Sequence, residues 1–139
     1  MNWYLQAIKK YTDFFGRAIR KEYWMFTLLN IIFAIATMAL DNILGTTEIS
    51  YAHNGYWWDY GYQYGLFYIL YGLFIFIPSI AVTVRRLHDT DRSGWWILIA
   101  LIPIIGVIWL LILMLMDSQP GSNKYGPSPK EIITTPQHI

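Results

Sequence analysis

The sequence contains no cysteine, which excludes disulfides, thiolate metal sites, c-type haem attachment and a cysteine nucleophile. It is also poor in charge. Asp, Glu, Lys and Arg make up 14% of its 139 residues, where a soluble domain carries roughly a quarter. A domain this small has a large surface relative to its core and needs polar groups to cover it. The formal charge of +1 gives no long-range field for nucleic acid, so no nucleic-acid partner is expected. What is abundant instead is apolar: hydrophobic residues reach 55% and aromatic residues 18%. Such a surface calls for a second apolar solvent, the lipid bilayer.

Three apolar runs carry that reading. The first, residues 23–44, is interrupted by Thr27, Asn30 and Thr37 and, near its end, by Asp41 and Asn42. The second, 66–84, and the third, 95–116, contain no charge. A helical run of about 22 residues reaches roughly 33 Å, enough to cross a hydrocarbon core of about 30 Å. Amphipathic residues precede the first run over a stretch longer than the basic region of a signal peptide, so the run is read as a retained span. The expected fold class is all-α: a polytopic membrane protein with three transmembrane helices, preceded by an amphipathic interfacial helix, in a single membrane domain over 1–139. Pro103 and Gly106 interrupt the third run. A kinked span is the preferred reading. The alternative is a re-entrant hairpin that returns the tail, 117–139, to the side the run left.

Basic residues set the orientation. Lys9, Lys10, Arg17, Arg20 and Lys21 precede the first span, and Arg85, Arg86 and Arg92 follow the second. The loop between spans one and two has no Lys or Arg. The positive-inside rule therefore places the N-terminus in the cytoplasm. Within residues 1–20, Tyr4, Ile8, Tyr11, Phe15 and Ile19 recur at helical spacing opposite Lys9, Lys10, Asp13, Arg17 and Arg20. A basic face opposite an aromatic one suits an interfacial helix among anionic headgroups.

Tyr51, Tyr56, Trp57, Trp58, Tyr60, Tyr62 and Tyr64 crowd the loop between the first two spans. This reads as an interfacial aromatic belt, with stacking on a sugar ligand as the alternative. Gly65, Gly72 and Ser79 are spaced by sevens, leaving a small-residue seam for helix packing within the chain or on a second copy. Asn30 is the polar side chain best placed to bond across helices. No span has an ionisable residue near its centre, which weakens a proton-coupled transporter.

The chemically densest stretch is Arg85-Arg86-Leu87-His88-Asp89-Thr90-Asp91-Arg92-Ser93-Gly94-Trp95-Trp96. Its guanidiniums suit phosphate, so Arg17, Arg20, Arg85, Arg86, His88, Asp89 and Arg92 are the candidate lipid- or partner-binding residues. His88, Asp89 and Ser93 are the ingredients of a hydrolase, but adjacency in sequence does not make a triad. In the three-span reading His53 and His138 lie across the membrane from His88, which argues against a shared metal. No catalytic residue, metal or cofactor is assigned. The structural alternative is a capped turn, with the carboxylates holding the arginines.

Three blocks carry a family resemblance: Phe15-Gly16-Arg17-Ala18 with Arg20-Lys21-Glu22-Tyr23-Trp24; Pro78-Ser79 with the Arg85–Trp96 stretch; and Asp117-Ser118-Gln119-Pro120-Gly121-Ser122-Asn123-Lys124-Tyr125-Gly126-Pro127. On these the chain resembles the bacterial inner-membrane family catalogued as domain of unknown function 805, the YhaH-like proteins. Asp91 stands where the family pattern often has Gly. The resemblance implies an inner-membrane location and brings no established activity. It also draws the tail toward the basic loops, which supports the hairpin. The expected role is non-enzymatic: a scaffold or accessory subunit whose cytosolic Arg-rich face binds anionic lipid headgroups or a membrane-protein partner. The alternatives are a homo-oligomeric small-solute transporter and an enzyme acting on lipid headgroups.

Overall fold

The computed structural model describes residues 12–46 and 65–130. Helix α1 is Arg20–Leu44 and helix α2 is Leu66–Asp89; a 3-10 helix follows at Gly94–Leu101 and helix α3 at Ile105–Leu115. Among the described residues there is no strand, only an isolated bridge between Asn123 and Gly126. Two compact units result, one of residues 12–27 with 77–130, the other of 28–46 with 65–76.

No Gly or Pro interrupts α1, and Glu22 sits in its first turn, where the positive end of the helix dipole favours a carboxylate. Both long helices are long and apolar enough to cross a membrane. Their side chains point outward: Ile35 is 62% exposed and Leu73 68%. The core helix of a soluble protein would bury such residues. Outward-facing aliphatic groups on helices of this length are what lipid accepts.

The reading of 66–84 stops too early. Helix α2 continues through Arg85, Arg86, Leu87, His88 and Asp89, so the charged block forms the last turns of a helix instead of a loop. It ends in a Schellman motif. Arg92 N–H donates to the Leu87 carbonyl (3.0 Å) and Asp91 N–H to that of His88 (3.0 Å), satisfying carbonyls left free by the helix end. Asp91 takes the left-handed conformation, φ 58°, that this motif requires. The turn is therefore made without a glycine.

Residues 12–19 are not helical, so the expected interfacial helix over 1–20 does not run through them; its part over 1–11 lies outside the described residues. Asp13 Oδ1 accepts from the Phe15 N–H at 3.0 Å, an Asx turn that competes with helix. Gly16 follows at φ 80°. Ala18 N–H then donates to the Arg85 carbonyl at 3.0 Å, tying this segment to the end of α2 before α1 begins.

The third run does not form one span. Its 3-10 helix of 8 residues and α3 of 11 residues each reach about 16 Å, half a hydrocarbon core. Between them, Ile105 N–H donates to the Pro103 carbonyl at 2.8 Å around Ile104 at φ 65°, ψ −67°. That is the rarer, strained γ-turn, held by a β-branched residue. Gly106 lets the two arms close: a Cβ there would collide with the Ile99 carbonyl. This is the hairpin, so the preferred kinked span is replaced by its alternative. The fold has two helices of spanning length and a short apolar hairpin.

The arms meet α1 and α2 around buried Leu87, Leu113 and Met114, with Tyr23, Trp24, Ile97 and Leu110 packed outside them. In the second unit, Asp41 caps α2: its carboxylate accepts from Phe67 N–H (3.0 Å) and Tyr68 N–H (2.8 Å). Tyr71 donates its hydroxyl to Asn30 Oδ1 at 2.5 Å, a bond between α1 and α2. Residues 47–64, which hold the aromatic loop, lie outside the described residues.

Strain at Ile104 and contact at Gly106 generate opposite expectations. Ile104→Gly relieves the strained positive-φ turn, worth about 1–3 kcal/mol, and raises the melting temperature in detergent by roughly 2–4 °C per kcal/mol. Gly106→Val separates the arms and lowers it. If Gly106→Val melts like the wild type, the arms are not in contact.

Candidate interfacial site

The first unit gathers its charged side chains where the segment before α1, the end of α2 and the tail after α3 meet. Asp89 is the hub. Its Oδ1 accepts from Arg17 Nε at 3.0 Å and its Oδ2 from Arg86 Nη1. All three residues are buried. The remaining donors of Arg17 go to tail carbonyls, Gly121 (2.7 Å), Gly126 (3.3 Å) and Gln119. Those of Arg86 go to the carbonyls of Met114 (3.3 Å) and Met116. Arg20 Nε reaches the same Met116 carbonyl at 2.9 Å. Met114 and Met116 lie at the end of α3, where the dipole is negative and cations are favoured. Arg85 pairs with Glu22 at 2.7 Å, joining α2 to the first turn of α1.

This arrangement reverses the sequence expectation for three residues. Arg17, Arg85 and Arg86 suit lipid or a partner by their charge, yet all are buried and bonded within the protein. Asp89 is equally enclosed. With both carboxylate oxygens engaged by arginines, it is not available to orient His88, and the hydrolase alternative loses its acid. Arg20 stays exposed, and Arg92 is half-buried with its guanidinium 5.9 Å from the Trp96 ring centroid. Among the described residues no three His, Asp or Glu converge on a metal position.

His88 takes a different role. Its Nδ1 lies 3.3 Å from the Gly16 carbonyl, which only accepts, so Nδ1 carries the proton in this contact. Its ring stacks on Tyr125 at 3.7 Å and 5°. The tail is fastened around this stack: Asn123 Nδ2 donates to the His88 carbonyl (2.9 Å) and Gln119 N–H to that of Asp89 (3.0 Å). Lys124 stays at the surface, 3.9 Å from Asp91. Farther along the tail, the Lys130 ammonium bonds the Asp117 carboxylate and holds its pKa below the usual carboxylate range.

The packing residues fare unevenly. Gly65 closes on the Asp41 side chain, where a Cβ would overlap it, whereas Gly72 faces open space. Ser79 is half-buried in α2 and its carbonyl accepts from the Thr83 hydroxyl at 2.7 Å. Sequence reasoning brings Tyr125 to the His88 loop only if the third run turns back, as it does, and does not single out Glu22 or Asn123. Pairing Asn123 with the charged block also needs that return, whereas Glu22 needs only the end of α2 beside the start of α1.

Removing one partner of a buried pair costs about 3–5 kcal/mol, because the other charge is stranded. Asp89→Asn is expected to lose that much in detergent unfolding, and a change below about 1 kcal/mol would show that the hub is not buried in solution. Asp91→Gly should instead gain roughly 1 kcal/mol by relieving a left-handed residue, since the exposed contact to Lys124 is worth little.

The chain is 45% identical over 130 residues to inner membrane protein YhaH of Escherichia coli K12, covering 94% of this chain and 98% of that one. It is 43% identical over 130 residues to inner membrane protein YhaI of the same strain, covering 94% and 97%. No solved structure matches. Residues 11–127 match a family model whose span takes in the Arg17–Asp89 hub, the hairpin and the tail through Gly126. The chain belongs to the family described as Protein of unknown function (DUF805).

Proposed function

We propose that this inner-membrane protein is a non-catalytic scaffold or accessory subunit whose cytosolic face binds anionic lipid. One observation carries the reading. Every described Lys and Arg lies in the first unit, in the segments 17–21, 85–92 and 124–130. The hairpin supports this by bringing the end of α3 and the tail to Arg86, Arg20 and Arg17. Basic residues concentrated in one unit favour a cytoplasmic placement of their segments, with the tail on the same side as the segment before α1.

The buried arginines are framework, and the lipid-facing cations are the outer ones: Arg20, Lys21, Arg92, Lys124 and Lys130. A cation at the surface of an anionic bilayer contributes on the order of 1 kcal/mol. Exposed Trp95 and Trp96 add the interfacial anchoring for which indole rings are suited. The open face at Gly72 favours a second reading, a homo-oligomer that passes a small solute, since few spans per chain cannot enclose a path alone. Crosslinking in native membranes that yields only monomer eliminates it.

Two measurements test the first reading. A green fluorescent protein fused after residue 139 should fluoresce, and alkaline phosphatase fused there should be inactive; the reverse overturns the orientation. In nanodiscs of mixed phosphatidylglycerol and phosphatidylcholine, the Lys21→Gln, Arg92→Gln, Lys130→Gln triple variant should retain less anionic lipid than the wild type. Equal retention at low salt sinks the lipid reading and leaves an acidic protein partner as the use of these cations.

A further inference from the structure

A cleft of about 620 Å³ opens beside the hub, within the range of small-molecule sites, about 300–1,000 Å³. Its walls are mainly apolar. Phe14 and Phe15 come from the segment before α1, Val84 from α2 and Trp95 from the start of the hairpin. Its polar groups are His88, Ser93 and Lys124, beside the Tyr125 ring that stacks on His88. Phe15 is 84% exposed and Trp95 78%, large aromatic surfaces for a protein to leave uncovered.

We propose that this cleft is a specific site for one hydroxyl-bearing anionic phospholipid, of the phosphatidylglycerol class. The proposal rests on the lipid reading above and deepens it from a charged face to a built site. Charge selects the head. Among the described residues no carboxylate lines the cleft, and Lys124 supplies an exposed ammonium at its rim, 3.9 Å from the exposed carboxylate of Asp91. A phosphate diester replaces this loose contact with a stronger one. His88 selects the hydroxyl. With its Nδ1 proton directed at the Gly16 carbonyl, the neutral ring presents Nε2 as an acceptor, suited to a glycerol O–H and unsuited to a quaternary ammonium. The aromatic walls receive the glycerol backbone and the first methylenes, as amphipathic interfacial rings do.

The test uses the full chain in uncharged maltoside detergent, read by native mass spectrometry while dioleoyl phosphatidylglycerol is titrated in. One lipid per protein should persist at collision energies that strip all others. Lys124→Gln and Trp95→Ala, both at exposed positions, should each weaken that adduct by roughly tenfold. Phosphatidylcholine should not form it, and glycerol 1-phosphate should fail to displace it at equal concentration. An adduct unchanged in both variants, or formed equally by phosphatidylcholine, overturns the site. Displacement by glycerol 1-phosphate at equal concentration overturns the lipid assignment in favour of a free phosphate ester. Because the nanodisc variant leaves Lys124 and Trp95 intact, reduced anionic lipid there with no cleft effect here would discard the cleft alone.

Discussion

The structure depends on one carboxylate shared by two guanidiniums. Asp89 stands between Arg17, 72 residues before it, and Arg86, one helical turn before it. Neither cation could be buried without it, and with it both arginines have donors left over. Those donors explain the tail's position. The buried set of Arg17, Arg85 and Arg86 exceeds Glu22 and Asp89 by one positive charge, which must be spread over carbonyl oxygens. The carbonyls of Gln119, Gly121, Met114 and Met116 accept it, two of them at the negative end of α3. A straight third span would carry those oxygens across the bilayer and leave the surplus without acceptors.

Composition alone located the chain in lipid, and long apolar runs located α1 and α2 to within a few residues. Those are local properties: apolar length and the absence of helix breakers. The hairpin was half legible. Pro103 and Gly106 marked a disruption, but the choice between kink and return depends on Arg86 meeting Met116, 30 residues on, and on Gly106 meeting the Ile99 carbonyl. Periodicity carries no record of such pairings.

The charged residues show the opposite failure. Arg17 falls on the polar side of a helical pattern, which reads as solvent-facing, yet Gly16 and the Asx turn at Asp13 break that pattern and turn the arginine inward. Arg85 and Arg86 look like headgroup ligands because charge in a short interfacial block is usually solvated. Their enclosure follows from partners outside the block, Glu22 among them. The motifs that flank the apolar runs were visible; that they belong to one cluster was not. In this fold the arginines most suggestive of binding are framework, and the proposed binding rests on plainer neighbours such as Lys124 and Trp95.

The hub also imposes an order on synthesis. Arg17 leaves the ribosome roughly 70 residues before Asp89 and about 100 before Gln119, an interval of roughly 5 to 20 seconds at ordinary elongation rates. Throughout it, Arg17 is a solvated cation at the flank of α1, free to interact with the headgroups and the insertion machinery. Only when the tail emerges can the same charge be withdrawn into the protein. An N-terminal anchor during insertion thus becomes an internal strut afterwards, and the knot that closes last fastens helices already in place.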